Sequence, residues 1–253
     1  MRFASLGSGS QGNATLIEYA GTRLLLDCGF AAREVERRLG LLGVEPKTLD
    51  GILVTHEHQD HIRGVGPLAR RHRLPVWITH GTHRGERCGE LPECHLIHSH
   101  QRSFDIGAIS VQPYPVPHDA REPVQYVFIA GAHRLGILTD SGQITPHIEQ
   151  VLTGCSALLL EFNHDQEMLA SGPYPPALQR RVGGRLGHLN NEQSLALLAK
   201  LNHDGLRRLV VGHVSEKNNH PQRVRECILS SMPHLSSRLS LTSQAEVSPW
   251  FEA

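Results

Sequence analysis

The stretch THEHQDHIR carries four side chains that can bind a metal ion within six consecutive positions, 56–61. His56 and His58 are two positions apart, so in an extended chain they point to the same side. Asp60 and His61 follow where a helix is expected to begin, and they can face the same point from another direction. We therefore expect this cluster to hold two cations, one on the histidine pair and one on Asp60 and His61.

Three more candidate ligands follow other predicted strands. His118 comes after YPVP, Asp140 after LGILT and His213 after RRLVVG. Taken singly, each would more often be an ordinary loop residue. Each, however, follows an apolar strand and precedes a small or turn residue, and loops at strand ends often carry functional groups. Together with the first cluster, these residues predict one shared metal site.

The composition suits a metalloenzyme. The 253 residues include 18 histidines, and histidine is the commonest metal ligand. The net charge is zero with neutral histidines, so no overall field attracts nucleic acid or an anionic membrane. The chain has an odd number of cysteines and no C-x-x-C pair. This pattern indicates free or buried thiols in a reducing compartment. They are Cys28, Cys88, Cys94, Cys155 and Cys227.

The sequence shows no export or membrane segment. The first residues, MRFASLGSGSQGNATLIEY, lack the apolar core of a signal peptide. No run approaches the roughly 18 apolar residues of a membrane span. We expect a soluble, cytoplasmic protein without a membrane partner.

Short apolar runs separated by turn residues predict strands that come in sequence within each half of the chain. The predicted strands are RFASLGS, ATLIEYA, TRLLLDCG, LDGILVTHEH, LPVWITH, AISVQPYPVPH, VQYVFIAG, HRLGILTDSG, CSALLLEFNH and LRRLVVGHVS. The predicted helices are AREVERRLGLLG, DHIRGVGPLARRH, HIEQVLTG, ALQRRVGG, NEQSLALLAKLN and PQRVRECILSSM. This pattern favours an α/β protein with two sheets packed face to face and helices outside.

The motif H-x-H-x-D-H and the later ligands resemble those of the metallo-β-lactamase fold superfamily. The resemblance implies a four-layer αββα sandwich of two mixed β-sheets, with residues 1–253 as a single domain. It assigns the first ion to His56, His58 and His118, the second to Asp60, His61 and His213, and a bridging role to Asp140. Asp27 is either a support behind the ligands or a turn residue at a strand end.

Two divalent ions would give this centre a hydrolytic chemistry. Nitrogen and carboxylate ligands without thiolate suit zinc or manganese best, and iron is a further candidate. A pair of ions about 3.5–4 Å apart shares a water and lowers its pKa toward neutrality. The resulting hydroxide is the expected nucleophile.

Four further motifs resemble the YycJ (WalJ) branch of that superfamily, whose members are regarded as 5′→3′ DNA exonucleases. They are SLGSGSQGNA, EFNHD, GHLNNEQS and GHVSEKNNHP. The resemblance implies a phosphodiesterase acting on nucleic acid, with DNA favoured over RNA. Asp60 would orient the nucleophile, and His188 would assist the leaving oxygen together with Glu161. His164 is a weaker candidate for the same proton network.

The glycine-rich loop and the segment after His213 are candidates for binding a phosphate. Backbone N–H groups and hydroxyls in the loop can form an anion nest, although a tight hairpin turn explains the glycines equally well. A solvated surface lysine is the alternative for Lys217. The candidate substrate-binding residues are Ser8, Ser10, Asn13, Lys217, Asn218 and Asn219.

Two other functions compete with a nuclease. The first is a small-molecule metallohydrolase, such as a simple phosphodiesterase, a thioesterase or a lactamase. The second is a regulatory binding protein on an inactive scaffold, which would have lost ligands that this chain keeps. The basic stretches REVERR, ARRHR, QRR and LRR could line a strand-tracking groove, but such runs are usually solvated helix faces. A homodimer that extends the groove is also compatible with the sequence.

Overall fold

The structure, a computed structural model, describes residues 1–85 and 88–253, and the described strands form two seven-stranded sheets. The first sheet contains β1 (Arg2–Gly7), β2 (Ala14–Tyr19), β3 (Thr22–Leu26), β4 (Gly51–Leu53), β5 (Pro75–Thr79), β6 (Glu93–Ile97) and β14 (Phe251–Glu252). The second contains β7 (Phe104–Ile106), β8 (Ile109–Pro115), β9 (Val124–Ala130), β10 (His133–Leu138), β11 (Ala157–Glu161), β12 (Arg208–Gly212) and β13 (Leu239–Leu241).

Each sheet is antiparallel on one side and parallel on the other. The first has the order β14-β1-β2-β3-β4-β5-β6 and becomes parallel from β3 onward. The second has the order β13-β12-β11-β10-β9-β8-β7 and is parallel from β13 to β10. Neighbouring parallel strands end at the same edge of a sheet, so the loops that follow them lie together.

Helices cover the outer faces of both sheets. The helices are α1 (Ala32–Leu41), α2 (Gln59–Ile62), α3 (Val65–His72), α4 (His80–Gly85), α5 (Pro146–Leu152), α6 (Gln166–Ser171), α7 (Pro176–Val182), α8 (Asn191–Leu201) and α9 (Pro221–Ser231). Short 3₁₀ turns span Pro46–Thr48 and Pro233–Leu235. Within the described part of the chain, no helix combines the length and apolar character needed to cross a membrane.

Three apolar cores separate four layers. Between the sheets, Phe3 and Leu24 of the first pack in one cluster with Tyr126 and Phe128 of the second. The Tyr126 hydroxyl also donates to the carbonyl oxygen of Val54 at 2.9 Å, which ties the sheets together beside the site.

The outer cores join each sheet to its helices. Val35 and Leu68, from α1 and α3, share a cluster with Ile52 of the first sheet. Leu198 and Ile228, from α8 and α9, pack in the cluster of the second sheet. The predicted αββα sandwich of two mixed sheets is confirmed.

Several elements differ from the sequence prediction. The stretch predicted as one helix from Asp60 forms α2 and α3, which separate at Gly64. There the Gly64 N–H donates to Cys28 O at 2.7 Å, and a Cβ on Gly64 would lie 2.1 Å from Phe30 O. The strand predicted through His58 ends at Leu53. Strands β6, β7, β13 and β14 were not predicted because they are short or exposed.

Candidate metal centre

Three polar residues that follow parallel strands adopt left-handed backbone conformations. Asp27, Asp140 and His213 follow β3, β10 and β12, and their φ values are 59°, 52° and 52°. Such conformations cost roughly 1–2 kcal/mol for a residue with a Cβ and tend to occur at functional sites. The turns direct all three side chains toward the space between the two sheets.

His56, His58 and His118 form what we call the histidine group. Their rings lie 4.6 to 5.0 Å apart between centroids, and one ring nitrogen from each lies within 4.8 Å of the others. His56 and His58 come from the loop after β4, and His118 comes from the loop after β8. The two sheets therefore both contribute to this group.

Asp60, His61, Asp140 and His213 form what we call the carboxylate group. His61 Nε2 lies 3.2 Å from Asp140 Oδ2, and His213 Nε2 lies 3.3 Å from Asp140 Oδ1. Asp60 Oδ2 lies 3.4 Å from His61 Nε2 and 3.7 Å from His213 Nε2. Asp140 Oδ1 is also 3.9 Å from His118 Nε2, so this carboxylate lies between the two groups.

Unsatisfied buried atoms indicate that these groups bind a cation. His56 Nε2, Asp140 Oδ2 and His213 Nε2 are buried and have no hydrogen-bond partner among the described residues. Leaving such atoms unpaired is costly, and coordination to a metal satisfies them. Imidazole nitrogen and carboxylate oxygen without thiolate are ligands that divalent cations accept. The centre is therefore built for divalent metal.

Hydrogen bonds behind the ligands aim their free atoms into the site. His61 Nδ1 donates to Asp27 Oδ2 at 2.8 Å, and the Thr55 hydroxyl donates to the same oxygen at 2.9 Å. The Thr55 hydroxyl also lies 2.9 Å from His56 Nδ1, from which it can accept. Outer contacts of this kind orient metal-binding histidines and set which nitrogen carries the proton. Asp27 thus fixes the His61 ring through a hydrogen bond rather than only closing a turn.

Two further contacts orient the later histidines. His118 Nδ1 donates to Gly187 O at 3.0 Å, and the Asn163 amide lies 3.1 Å from His213 Nδ1. Asp119 Oδ1 lies 3.7 Å from His58 Nε2 and 3.5 Å from His118 Nε2, so it contacts two rings of the histidine group. The sequence analysis did not identify Thr55, Asn163 or Asp119. The positions of Thr55 and Asp119, each directly beside a ligand histidine, were the available signal.

The two groups differ in their electrostatics. Burial lowers the pKa of His56 well below its usual value, and it also lowers that of His118. Burial alone would lower the pKa of His213, but the Asp140 carboxylate outweighs it and raises the pKa to about 9. Burial would likewise raise the pKa of Asp140, but His213 and His61 hold it well below its usual value. Burial thus favours the neutral forms of His56 and His118, whereas opposite charges share the carboxylate group.

His188 and Glu161 lie together beside the ligands. Glu161 is fully buried at the end of β11 and accepts from the backbone N–H groups of Asp140, Ser141 and Leu189 at 2.9 to 3.1 Å. His188 Nδ1 lies 3.2 Å from Glu161 Oε2, and the His188 ring stacks on that of His213 at 5.1 Å. Glu161 therefore lies behind His188 and positions it, whereas His188 itself lines the cavity.

An open cavity of about 320 Å³ lies over both groups. Ser10 lines it and is exposed, as the predicted phosphate contact requires. Ser8 and Asn13 are used differently. The Ser8 hydroxyl accepts from the His213 N–H at 2.8 Å, and Asn13 Oδ1 accepts from the Gly9 N–H at 2.9 Å. The Asn13 amide nitrogen also lies 3.1 Å from His61 Nε2 and 3.3 Å from Asp60 Oδ2. Ser8 therefore supports the backbone at His213, whereas Asn13 stabilises the loop and contacts the carboxylate group.

The segment after His213 does not face the cavity as a unit. Lys217 is exposed, with Nζ 5.7 Å from the ring centroid of Tyr174. Asn218 and Asn219 are buried and do not line the cavity. The Asn219 amide donates to Phe162 O at 2.9 Å and so anchors the loop inward. The structure separates these three residues, although they are adjacent in the sequence.

The basic stretches are mostly paired or remote from the metal centre. Arg37 and Arg38 bind Glu34, and Arg71 binds Glu36. Residues 207 and 208 lie at the start of β12, the end of that strand opposite His213. The stretch at α7 is different, because Arg181 lines the cavity and its Nε lies 2.5 Å from Asp119 Oδ2.

Comparisons with known proteins agree with this architecture. The beta-lactamase superfamily domain matches residues 22–214. Exodeoxyribonuclease YycJ of Bacillus anthracis is 34% identical over 228 residues, which cover 89% of this chain and 86% of that protein. Exodeoxyribonuclease WalJ of Streptococcus pneumoniae is 31% identical over 223 residues, which cover 86% of this chain and 83% of that protein.

A solved structure shares the whole fold. The metallo-β-lactamase fold protein YhfI from Bacillus subtilis superposes with a TM-score of 0.74 at 15% identity, and the match covers 98% of both chains. The family model and the two exodeoxyribonuclease relatives confirm the resemblance drawn from the motifs. The chain belongs to the beta-lactamase superfamily and, within it, to the family of the YycJ and WalJ proteins.

Proposed function

We propose that the protein is a metal-dependent nuclease that removes nucleotides from the 5′ end of DNA. The observation that carries this proposal is the pair of ligand groups around Asp140, with His188 beside them in one open cavity. The relatives named as exodeoxyribonucleases match most of the chain, which supports DNA as the substrate. Zinc or manganese fits the donor atoms best, with one ion on each group.

The chain's own residues would align a phosphodiester over the two groups. When bound there, divalent ions supply Lewis acidity toward phosphoryl oxygens and a water of lowered pKa. Asp60 Oδ2 lies at the edge of the carboxylate group and would orient the attacking water by accepting its hydrogen. Ser10, with its exposed hydroxyl over the cavity, would donate to a phosphate oxygen.

His188 is the proposed proton donor to the leaving oxygen. Its Nδ1 is engaged by Glu161, which leaves Nε2 on the opposite side of the ring for the cavity. Transfer of the Nε2 proton as the bond between phosphorus and the 3′ oxygen breaks would release the terminal nucleotide with a 3′-hydroxyl and leave a 5′-phosphate on the strand. A positioned general acid of this type contributes roughly 10²- to 10⁴-fold to a rate.

The experiment compares end-labelled DNA and RNA of matched sequence, each with a 5′-phosphate or a 5′-hydroxyl. Wild-type protein, stripped and reloaded with Mn²⁺ or Zn²⁺, is expected to shorten DNA stepwise from the 5′ end. His188→Ala should lower kcat by about 10²-fold or more while metal content stays unchanged. His147→Ala is the matched control, because His147 is exposed on α5 in the outer helical layer.

The outcome also discriminates against the small-molecule alternative. Turnover of bis(p-nitrophenyl) phosphate or a lactam, without cleavage of any strand, would replace the nuclease with a small-molecule metallohydrolase. Faster cleavage of RNA than of DNA would overturn the substrate preference but keep the reaction type.

A further inference from the structure

A second cavity, of about 110 Å³, opens beside the cavity of about 320 Å³ that lies over the histidine and carboxylate groups. The two cavities share wall residues, so a ligand can extend from one into the other. The shared residues are Ser10, Leu178, Val182, His188 and His213. The part of a ligand that occupies the second cavity therefore lies directly next to the part held over the histidine and carboxylate groups.

The walls of the second cavity are largely apolar and include one aromatic ring. Leu178 and Val182 are four residues apart on α7, so they lie on the same face of that helix. Tyr174 precedes the helix, and Val214 lies opposite in the loop after β12. Lys217 Nζ lies 5.7 Å from the Tyr174 ring centroid, within the range of a cation–π contact. This contact favours one position of the ring.

The cavity also carries polar groups. Ser215 and Asn163 line it. Ser215 Oγ accepts from the Asn218 backbone N–H at 3.2 Å and from the Asn218 amide at 3.4 Å. Among residues 1–85 and 88–253 no acceptor is paired with the Ser215 hydroxyl hydrogen. That hydrogen can be donated to an acceptor on a ligand.

We infer that this second cavity binds the nucleobase of the nucleotide adjoining the scissile phosphate, stacked against Tyr174. A base is planar, has apolar faces and carries acceptors at its edge, which matches an aromatic and apolar wall with a hydroxyl donor. A terminal phosphate alone would not need such walls. The inference rests on the proposed function. Because stacking uses the face that every base presents, the subsite tolerates any sequence.

A binding experiment tests the subsite without cleavage. DNA with 2-aminopurine at its 5′-terminal nucleotide and an uncleavable phosphonate linkage after it is titrated with metal-loaded wild-type protein, and fluorescence is recorded. Stacking quenches this base, so we expect quenching with wild-type and Tyr174→Phe protein and none with Tyr174→Ala. Leu41→Ala truncates an exposed apolar side chain on α1 and should quench like wild type. Unchanged fluorescence of DNA bound to wild-type protein would overturn the inference.

Cleavage kinetics provide a second test. The loaded protein is given strands whose 5′-terminal nucleotide carries a base or is abasic. Base stacking is worth about 1–3 kcal/mol, so wild type should prefer the base-bearing strand by roughly 5- to 150-fold in kcat/KM. Tyr174→Ala should lose this preference, and Tyr174→Phe should keep it.

The possible results separate the two proposals. The subsite is refuted if Tyr174→Ala keeps the full preference for the base-bearing strand, or if wild type shows no such preference. In either case, cleavage of the strands still supports the nuclease. If wild type cuts neither strand, the proposed function fails, and the fluorescence titration alone decides whether a base binds in this cavity.

Discussion

The histidine group and the carboxylate group lie side by side but are assembled differently. Two of the three histidines come from one loop, and burial keeps the pKa of His56 low. The carboxylate group adds two residues in left-handed conformations, Asp140 and His213, to the pair at α2. The first group is thus compact and built mainly from one loop, whereas the second is charged and depends on distant strand ends.

This difference indicates where each group is vulnerable. The histidine group depends on ring orientation, which Thr55 and Gly187 provide through hydrogen bonds. The carboxylate group depends on the balance of charge between carboxylates and imidazoles, and Asp140 makes its two shortest contacts, at 3.2 and 3.3 Å. Asp140 also approaches His118, so it is the residue whose loss should affect both groups.

Asp140→Asn should have the largest effect. The substitution keeps the size of the side chain but removes the charge and one acceptor from the position between the groups. We expect metal affinity to fall at both groups and nuclease activity to drop more than about 100-fold, since even outer contacts are worth 10- to 100-fold. Stepwise Zn²⁺ titration against a chromogenic chelator, followed by DNA cleavage, measures both effects.

Asp105→Asn provides the control for that change, because Asp105 is exposed on β7. It should leave both binding constants unchanged. If Asp140→Asn weakens only one of the two Zn²⁺ affinities, the Asp140 carboxylate serves a single group and does not link the two.

A crossed pair of variants distinguishes the supports of the two groups. Asp27→Asn weakens the acceptor for His61 Nδ1, and Thr55→Val removes the acceptor for His56 Nδ1. We expect Asp27→Asn to lower affinity mainly at the carboxylate group, by about 10- to 100-fold. Thr55→Val should lower it at the histidine group and, to a smaller extent, at the carboxylate group, because the Thr55 hydroxyl also donates to Asp27. The same titration resolves them. Equal losses at both groups in both variants would mean that the supports act as one network.

Asp119→Asn should have a smaller effect, confined to the histidine group. Asp119 is partly exposed, lies 3.7 Å from His58 Nε2 and already binds Arg181, so its hold on the ring is weak. We expect a loss of metal affinity below about tenfold, under the range seen for well-placed outer contacts. A loss as large as that of Asp27→Asn would show that Asp119 orients His58 more firmly than its distance indicates.

The sequence signalled the members of both groups because each carries a local pattern. His56 and His58 follow a short apolar strand, Asp60 and His61 lie in α2, and Asp140 and His213 each follow an apolar strand. Their role as metal ligands stays a prediction. Behind the ligands, prediction failed where contacts are distant in sequence. Ser8 accepts from the N–H of His213, 205 positions away, and such a pairing leaves no trace in spacing.

Adjacency in sequence was misleading in the segment after His213. Lys217, Asn218 and Asn219 were predicted to bind phosphate together because they follow a ligand. The Asn219 side chain instead bonds to Phe162 O and Asn191, which turns the loop toward the interior. The overall layers followed from the apolar runs. Edge strands such as β6 did not, because four of its five residues are not fully buried.

A buried histidine behind the carboxylate group gives the smallest predicted effect. His164 Nδ1 lies 3.4 Å from Asn163 Oδ1, and the Asn163 amide contacts His213. Burial lowers the pKa of His164 to about 4. The unfolded chain, with a pKa near 6.5, binds the proton more readily, so this residue reduces stability as the pH falls from about 6.5 toward 4.

Between pH 7.5 and pH 5.5, His164 should therefore reduce the free energy of unfolding by about 1 kcal/mol. His164→Gln should not show this part of the decline, and urea unfolding of both metal-free proteins at the two pH values measures the difference. The control is His147→Gln, because His147 is exposed on α5. If the free energy of unfolding falls equally in wild type and His164→Gln, His164 takes up its proton without destabilising the folded protein. The residues behind His213 then tolerate the added charge.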